Sequence, residues 1–287
     1  MADAPGHLLG QLIGGILEIA SEPVLRDLAV KHGMYLDTKG LRPGIRTGQL
    51  LSLPDGDGNK HDLDFVLERS GKMDEAGVLA AFVECARRRY TKHSKAKAQE
   101  IQGAVLPLVQ KWSEVAPVPA AIVAGQWSRP SIKQLESAGF VVLQLDFQVT
   151  VETFAKFGID IKGRDKVPDE FWQGQVDVLR SMSKTDLTIL ADTIRDDNAE
   201  DFQSFVDELE ERIVRTVEVV RFYPIHGRSF EFGSLSEAID ALHSYENQSS
   251  AHPLIRYEFE VVYTNSDTIK ASYSTVAASE EFLKRLI

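Results

Sequence analysis

The chain has 287 residues, of which 43% are hydrophobic and 26% charged. These proportions argue against a disordered or membrane-embedded chain, and the length allows one large domain or two modest ones with a core that needs no covalent staples. The formal charge of −11 argues against non-specific coating of nucleic acid, because duplex affinity is dominated by phosphate neutralisation.

A single cysteine, Cys85, cannot form an internal disulfide, and no Cys/His cluster has zinc spacing, so a reducing, cytoplasmic compartment is expected. No apolar run approaches the roughly 18 residues of a spanning helix. The opening MADAPGHLLGQ lacks a basic n-region, so neither a membrane span nor a secretory signal is expected. Charge is uneven along the chain. Arg87, Arg88, Arg89, Lys92, Lys95 and Lys97 crowd one stretch, whereas residues 196–211 are strongly acidic. A local basic surface is therefore compatible with an acidic total.

In chain order, residues 7–32 predict a helix with Leu9, Leu12, Ile13, Ile16 and Ala20 as its apolar stripe. Roughly opposite, Gly10 and Gly14 would admit a close neighbour, and Glu18 would project beside it. A Gly/Pro-rich loop gives way to a short strand, QLLSL (49–53), and the turn PDGDGN. HDLDFVL (61–67) alternates and predicts one strand, with Leu63, Phe65 and Leu67 on one side and Asp62, Asp64 and Val66 on the other. VLAAFVECA (78–86) is nearly all apolar, as a central strand is. A helix is expected over about 94–112, kinked or shortened by Pro107. Then come the strand AAIVAG, the helix RPSIKQLESAG ending on Gly139, the strand VVLQLDF and the helical stretch VETFAKFG. This order predicts an α/β fold with a mixed sheet flanked by helices over 1–158. Residues 159–212 turn polar and read as a helical connector. Over 213–287, two units each read strand, turn, strand, helix, with Glu218-Val219-Val220 recurring as Glu260-Val261-Val262, so a small α+β (ββα-ββα) domain for partner or DNA binding is expected.

If HDLDFVL and VLAAFVECA form an antiparallel hairpin centred near Met73 and Asp74, Asp64 falls opposite Glu84. Directly opposed residues have Cβ atoms about 4.5–5.5 Å apart, and like charges that close are destabilising unless a proton or a cation sits between them. Hard oxygen ligands without His or Cys favour Mg²⁺, and the adjacent basic run reads as a phosphate-binding flank. The blander reading is an edge-strand Asp64 and an exposed Glu84 ending a core strand. Cys85, alternating with Glu84, is expected to fill the opposite layer. Trp127 and Arg129 either reach a nucleic-acid backbone or cap a helix, and no P-loop is present.

The order of elements over roughly 6–147, with an Asp on the second strand, a Glu late in the third and a basic helix next, resembles the PD-(D/E)XK nuclease superfamily. The resemblance implies a restriction-endonuclease-like sheet, with Asp64 and Glu84 holding Mg²⁺ (or Mn²⁺ as a substitute) and Glu18 supporting the ion from the first helix. It also implies a lysine that orients or activates the attacking water. The family places that lysine two positions after Glu84, where this chain has Ala86. Some members carry it on the following helix, where Lys97 is best placed, at the rim of the buried face, with Lys92 and Lys95 as weaker candidates. Arg87, Arg88, Arg89, Lys92 and Lys95 would hold the phosphodiester backbone, and Gln99 would contact phosphate or metal-bound water.

The function so implied is a metal-dependent DNA endonuclease of restriction or phage-defence type, acting as a homodimer or as a subunit of a larger defence complex, with RNA as an open second substrate. The alternative is a catalytically inactive nuclease-fold subunit that binds nucleic acid or a protein partner, which Ala86 and the acidic net charge favour.

Overall fold

The computed structural model of the chain describes residues 4–163, 167–225, 228–246, 256–265 and 267–286. The chain starts with α1 (Pro5–Lys31), followed by β1 (Met34–Thr38), β2 (Leu51–Pro54), β3 (Lys60–Leu63), β4 (Phe65–Arg69) and β5 (Val78–Arg88). Then come α2 (Ser94–Lys111), β6 (Val118–Gly125), α3 (Arg129–Ser137), β7 (Val141–Gln144) and α4 (Phe147–Lys156). Five strands form one mixed sheet in the order β1-β4-β5-β6-β7. β1, β4 and β5 pair antiparallel, whereas β5, β6 and β7 run parallel. Every residue of β6 is buried, as expected of a parallel strand covered on both faces.

The two faces have separate cores. Phe65, Leu67, Val83, Ala120 and Ile122 pack with Leu9, Ile13 and Leu17 of α1, while Val66, Phe82, Ala86 and Val123 pack with Ala98, Ile101 and Val105 of α2. The alternation along β5 therefore sends Glu84 toward α2 and Cys85 toward α1. By length and composition, α1 qualifies as a membrane-crossing helix, contrary to the sequence expectation, yet its apolar side is buried inside the fold. Pro107 sits within α2 without ending it.

Two sequence expectations change. First, Met34–Thr38, to which the sequence assigned no element, is the edge strand of the main sheet. Second, HDLDFVL is two strands, broken by a bend at Asp64. β3 turns away to pair with β2 in a two-stranded ribbon. Leu63 consequently packs with the α2-side core, whereas Phe65 and Leu67 pack with the α1 side.

At the opposite end of β4, Arg42 is fully buried and binds Asp37, both carboxylate oxygens of Glu68, and the carbonyls of Lys72 and Glu75. With two acids and two carbonyls around it, the guanidinium is compensated, and it ties the loops after β1 and β4 together.

The stretch expected as a connector forms α5 (Asp169–Ser181), α6 (Lys184–Asp197) and α7 (Ala199–Ile213). It is helical but belongs to the core, since Trp172, Val176, Ile194, Phe205 and Leu209 join the α1-side cluster. A reciprocal capping box between Ser183 and Asp186 starts α6. Beyond it lie β8 (Val217–Pro224), β9 (Phe230–Phe232), α8 (Leu235–Glu246), β10 (Tyr257–Tyr263), β11 (Thr268–Tyr273) and α9 (Val276–Arg285). Their antiparallel sheet has the order β11-β10-β8-β9 and packs against both helices through Phe222, Phe259, Leu242 and Phe282. Across its other face runs a row of paired charges, Glu231, Arg221, Glu260 and Lys270. The tail meets the core where Arg215 donates to the Ala116 carbonyl at 2.6 Å and Glu114 accepts from Tyr273 (2.8 Å) and Arg285 (2.9 Å).

Candidate functional site

Register brings the site together. Phe65 pairs with Val83 and Val66 with Phe82, so one residue further back Asp64 lies beside Glu84. On the other side of β4, Thr38 pairs with Phe65, and the same step places Lys39 beside Asp64. A cation just past β1, an acid just before β4 and an acid on β5 thus meet at the end of the sheet where β4 begins.

Asp64 is nearly buried, at 9% exposure. Its Oδ2 accepts from the Cys85 amide at 2.7 Å, and its Oδ1 accepts from Lys39 Nζ at 2.6 Å. The Lys39 ammonium also donates to Glu18 Oε1 at 2.8 Å, so the α1 acid reaches the same point. Burial pulls the Lys39 ammonium down, but hydrogen bonds and attraction from Asp64 and Glu18 outweigh it and hold its pKa above the ordinary lysine value.

Glu84 is the least satisfied group. Its Oε1 is buried without a hydrogen-bond partner. Burial first, and the Asp64 charge second, push its pKa up to about 8, while Lys97 and Lys39 pull in the opposite direction. Burial and Asp64 also raise Glu18 above the usual carboxylate range. A buried bare carboxylate oxygen beside two further acids is a donor set suited to a hard divalent cation. As the side chains stand, no group of three His, Cys, Asp or Glu among the described residues is closed around a metal position, and the Lys39 ammonium bridges Glu18 and Asp64.

The basic residues divide. Lys97, on α2, faces the same layer as Glu84, feels its charge and pairs with Glu100. Lys95 and Gln99 are exposed near the start of this helix, and Lys92 is exposed in the short turn before it. Arg88 pairs with Glu100 at 3.2 Å. Arg87 and Arg89 depart from the expected phosphate-binding flank. They alternate with Ala86 and so point to the α1 side, away from Glu84. Arg87 lies against Gly10 and donates to the Ile161 carbonyl at 3.1 Å, while burial first and Arg89 second lower its pKa to about 10. Arg89 stacks on the Trp172 ring at 3.7 Å, in space that Gly6 leaves open. Ala86 is buried in the α2-side core. Trp127 and Arg129 stand at the start of α3, where Trp127 Nε1 donates to the Ala124 carbonyl and Arg129 opens the helix.

Lys39 is the residue that sequence reasoning missed. The signal was β1, because recognising Met34–Thr38 as the neighbour of β4 would have aligned Lys39 with Asp64 by register alone. A separate cavity of about 370 Å³, lined by Leu51, Val66, Leu79, Trp112 and Val115, lies toward the Val78 end of β5, and none of Glu18, Asp64 or Glu84 lines it.

The chain matches no known protein-family model, and no curated protein matches it. Among solved structures, the crystal structure of a protein of unknown function is similar over 66% of this chain and 98% of its own, at 16% identity and a TM-score of 0.30, a likeness that bears on neither fold nor function. The architecture itself is mixed α/β, a five-stranded mixed sheet flanked by helices, with a second, antiparallel sheet at the C-terminal end.

Proposed function

We propose that this chain is a divalent-metal-dependent nuclease with a restriction-endonuclease-like core that hydrolyses phosphodiester bonds in DNA, in a restriction or phage-defence role. The observation that carries this reading is the convergence of Asp64, Glu84 and Glu18 at one sheet end, with a buried Glu84 oxygen that nothing satisfies. Asp64 and Glu84 would hold Mg²⁺, with Mn²⁺ as a substitute, and Glu18 would support it. The bound ion would supply Lewis-acid stabilisation and a more acidic water. Lys97, close enough to Glu84 to lower its pKa, would position the nucleophile. The exposed Lys95, in the first turn of α2, and Lys92, in the short turn before it, would hold the phosphate backbone, with Gln99 as a polar neighbour. A single such site cuts one strand, so duplex cleavage calls for a homodimer or two binding events.

A second reading, an inactive nuclease-fold subunit that binds nucleic acid or a protein partner, is favoured by the buried Ala86 at the position of the usual lysine. Plasmid cleavage in Mg²⁺ and in Mn²⁺ by wild type and by Glu84→Gln separates the two. The enzyme reading expects nicking by wild type that falls at least about a hundredfold in the variant. Equal activity in both, or none in either with both ions, favours the subunit. Labelled duplex RNA in parallel decides the substrate class.

A further inference from the structure

Asp64 has one carboxylate oxygen committed to the backbone, since Oδ2 accepts from the Cys85 amide. Its remaining oxygen, Oδ1, is taken by Lys39 at 2.6 Å. The same ammonium holds Glu18 at 2.8 Å. A cation entering between these acids therefore meets one already there, and the two compete for the same oxygens. Lys39 leaves Glu84 Oε1 bare, so it neutralises the site without completing it.

The backbone that presents Lys39 is fixed, while its side chain has somewhere to go. Arg46 bonds the carbonyls of Thr38 and Gly40, on either side of Lys39, and the Gly40 amide donates to the Gln49 carbonyl at 2.7 Å. Gly40 has φ +126°, a conformation that favours glycine and turns the chain directly after the lysine. The Lys39 side chain itself is 41% exposed, against 11% for Asp64. It can swing into water without any movement of β1, whereas the carboxylate cannot follow it.

We propose that Lys39 is a built-in counter-ion for the acid cluster, one that a divalent cation must displace from Asp64 and Glu18, so that Lys39 sets the ion concentration at which the site fills. This rests on the metal-binding reading of the cluster given above. In the absence of the ion, Lys39 holds the acids together against their mutual repulsion. When the ion enters, the ammonium is released at the rim of the site.

The test measures Mn²⁺ binding by calorimetry and by the paramagnetic resonance signal of free Mn²⁺, with melting temperatures in chelator and in Mn²⁺. It compares wild type, Lys39→Met, Lys39→Gln, Lys39→Arg and Asp64→Asn. Lys39→Met and Lys39→Gln are expected to bind Mn²⁺ roughly tenfold more tightly than wild type. Both should melt lower than wild type in chelator and gain more from added Mn²⁺. Lys39→Arg keeps the competing charge and is expected to bind no tighter than wild type, and Asp64→Asn should abolish binding. If Asp64→Asn abolishes binding but Lys39→Met and Lys39→Gln bind Mn²⁺ no tighter than wild type, the counter-ion role is overturned while the metal site stands. If no variant and not the wild type shows binding that depends on Asp64, both are overturned.

Discussion

Glu84 couples burial to proton binding. Its folded pKa of about 8 lies above the ordinary 4.5, so between these values the folded chain keeps a proton that the unfolded chain has lost. The sign follows directly: Glu84 costs nothing below about pH 4.5, and its cost grows as pH rises through the window toward 8. In chelator, Glu84→Gln should flatten this fall and stabilise the protein above pH 8, by at most about 5 kcal/mol. Denaturant melts of both proteins across the pH range check this, and an unchanged slope in the variant would assign it to other groups. Asp64 and Glu84 were legible in the sequence because a hairpin's register follows from where its loop is centred. The orientation of Arg87 and Arg89 was legible from alternation along the same strand, since their positions share the parity of Cys85 and not that of Glu84.

At the scale of elements, two glycines make opposite predictions. Gly125 ends β6 at φ +89°, and a Cβ there would stand 2.1 Å from the Arg88 carbonyl oxygen, which also accepts from the Gln126 amide. Gly125→Ala should therefore destabilise by more than about 2 kcal/mol, through backbone strain and separation of β5 from β6. Gly103 lies inside α2 with nothing within 4 Å of an added Cβ, and Gly103→Ala should stabilise by roughly 0.5–1 kcal/mol. Denaturant midpoints read both, and a shift of the same sign in the two would refute the distinction.

The main helices and the buried strands were legible from periodicity, but β1 was not, since five mixed residues on a sheet edge carry too little pattern. The break at Asp64 was hidden for a related reason: alternation continues in the letters across a bend that redirects the side chains. The tail repeat shows the same effect. Its first strands do pair, Val220 with Val261 and Val219 with Val262, yet Val220 is buried where its counterpart Val262 is not. A recurrence of residues is therefore not a recurrence of facing.

For the whole molecule, Glu114 is a joint between core and tail, accepting from Tyr273 and Arg285 at once. Glu114→Ala should lower global stability by only about 1 kcal/mol, because the Arg285 pair is largely solvated. It should raise amide exchange in residues 213–217 and in α9 above that of the core. Exchange that stays uniform would place the attachment in the Arg215 bonds to Val115 and Ala116 alone.

The outer row of the tail sheet bears on how the two halves would share work on a polyanion. Glu231, Arg221, Glu260 and Lys270 sum to zero, and each positive group already has a carboxylate in hand. A phosphate chain drawn across this row would have to break an existing pair for every new one it makes. Long-range attraction would thus have no foothold on that side, and it would fall to the exposed Lys92 and Lys95 near the start of α2.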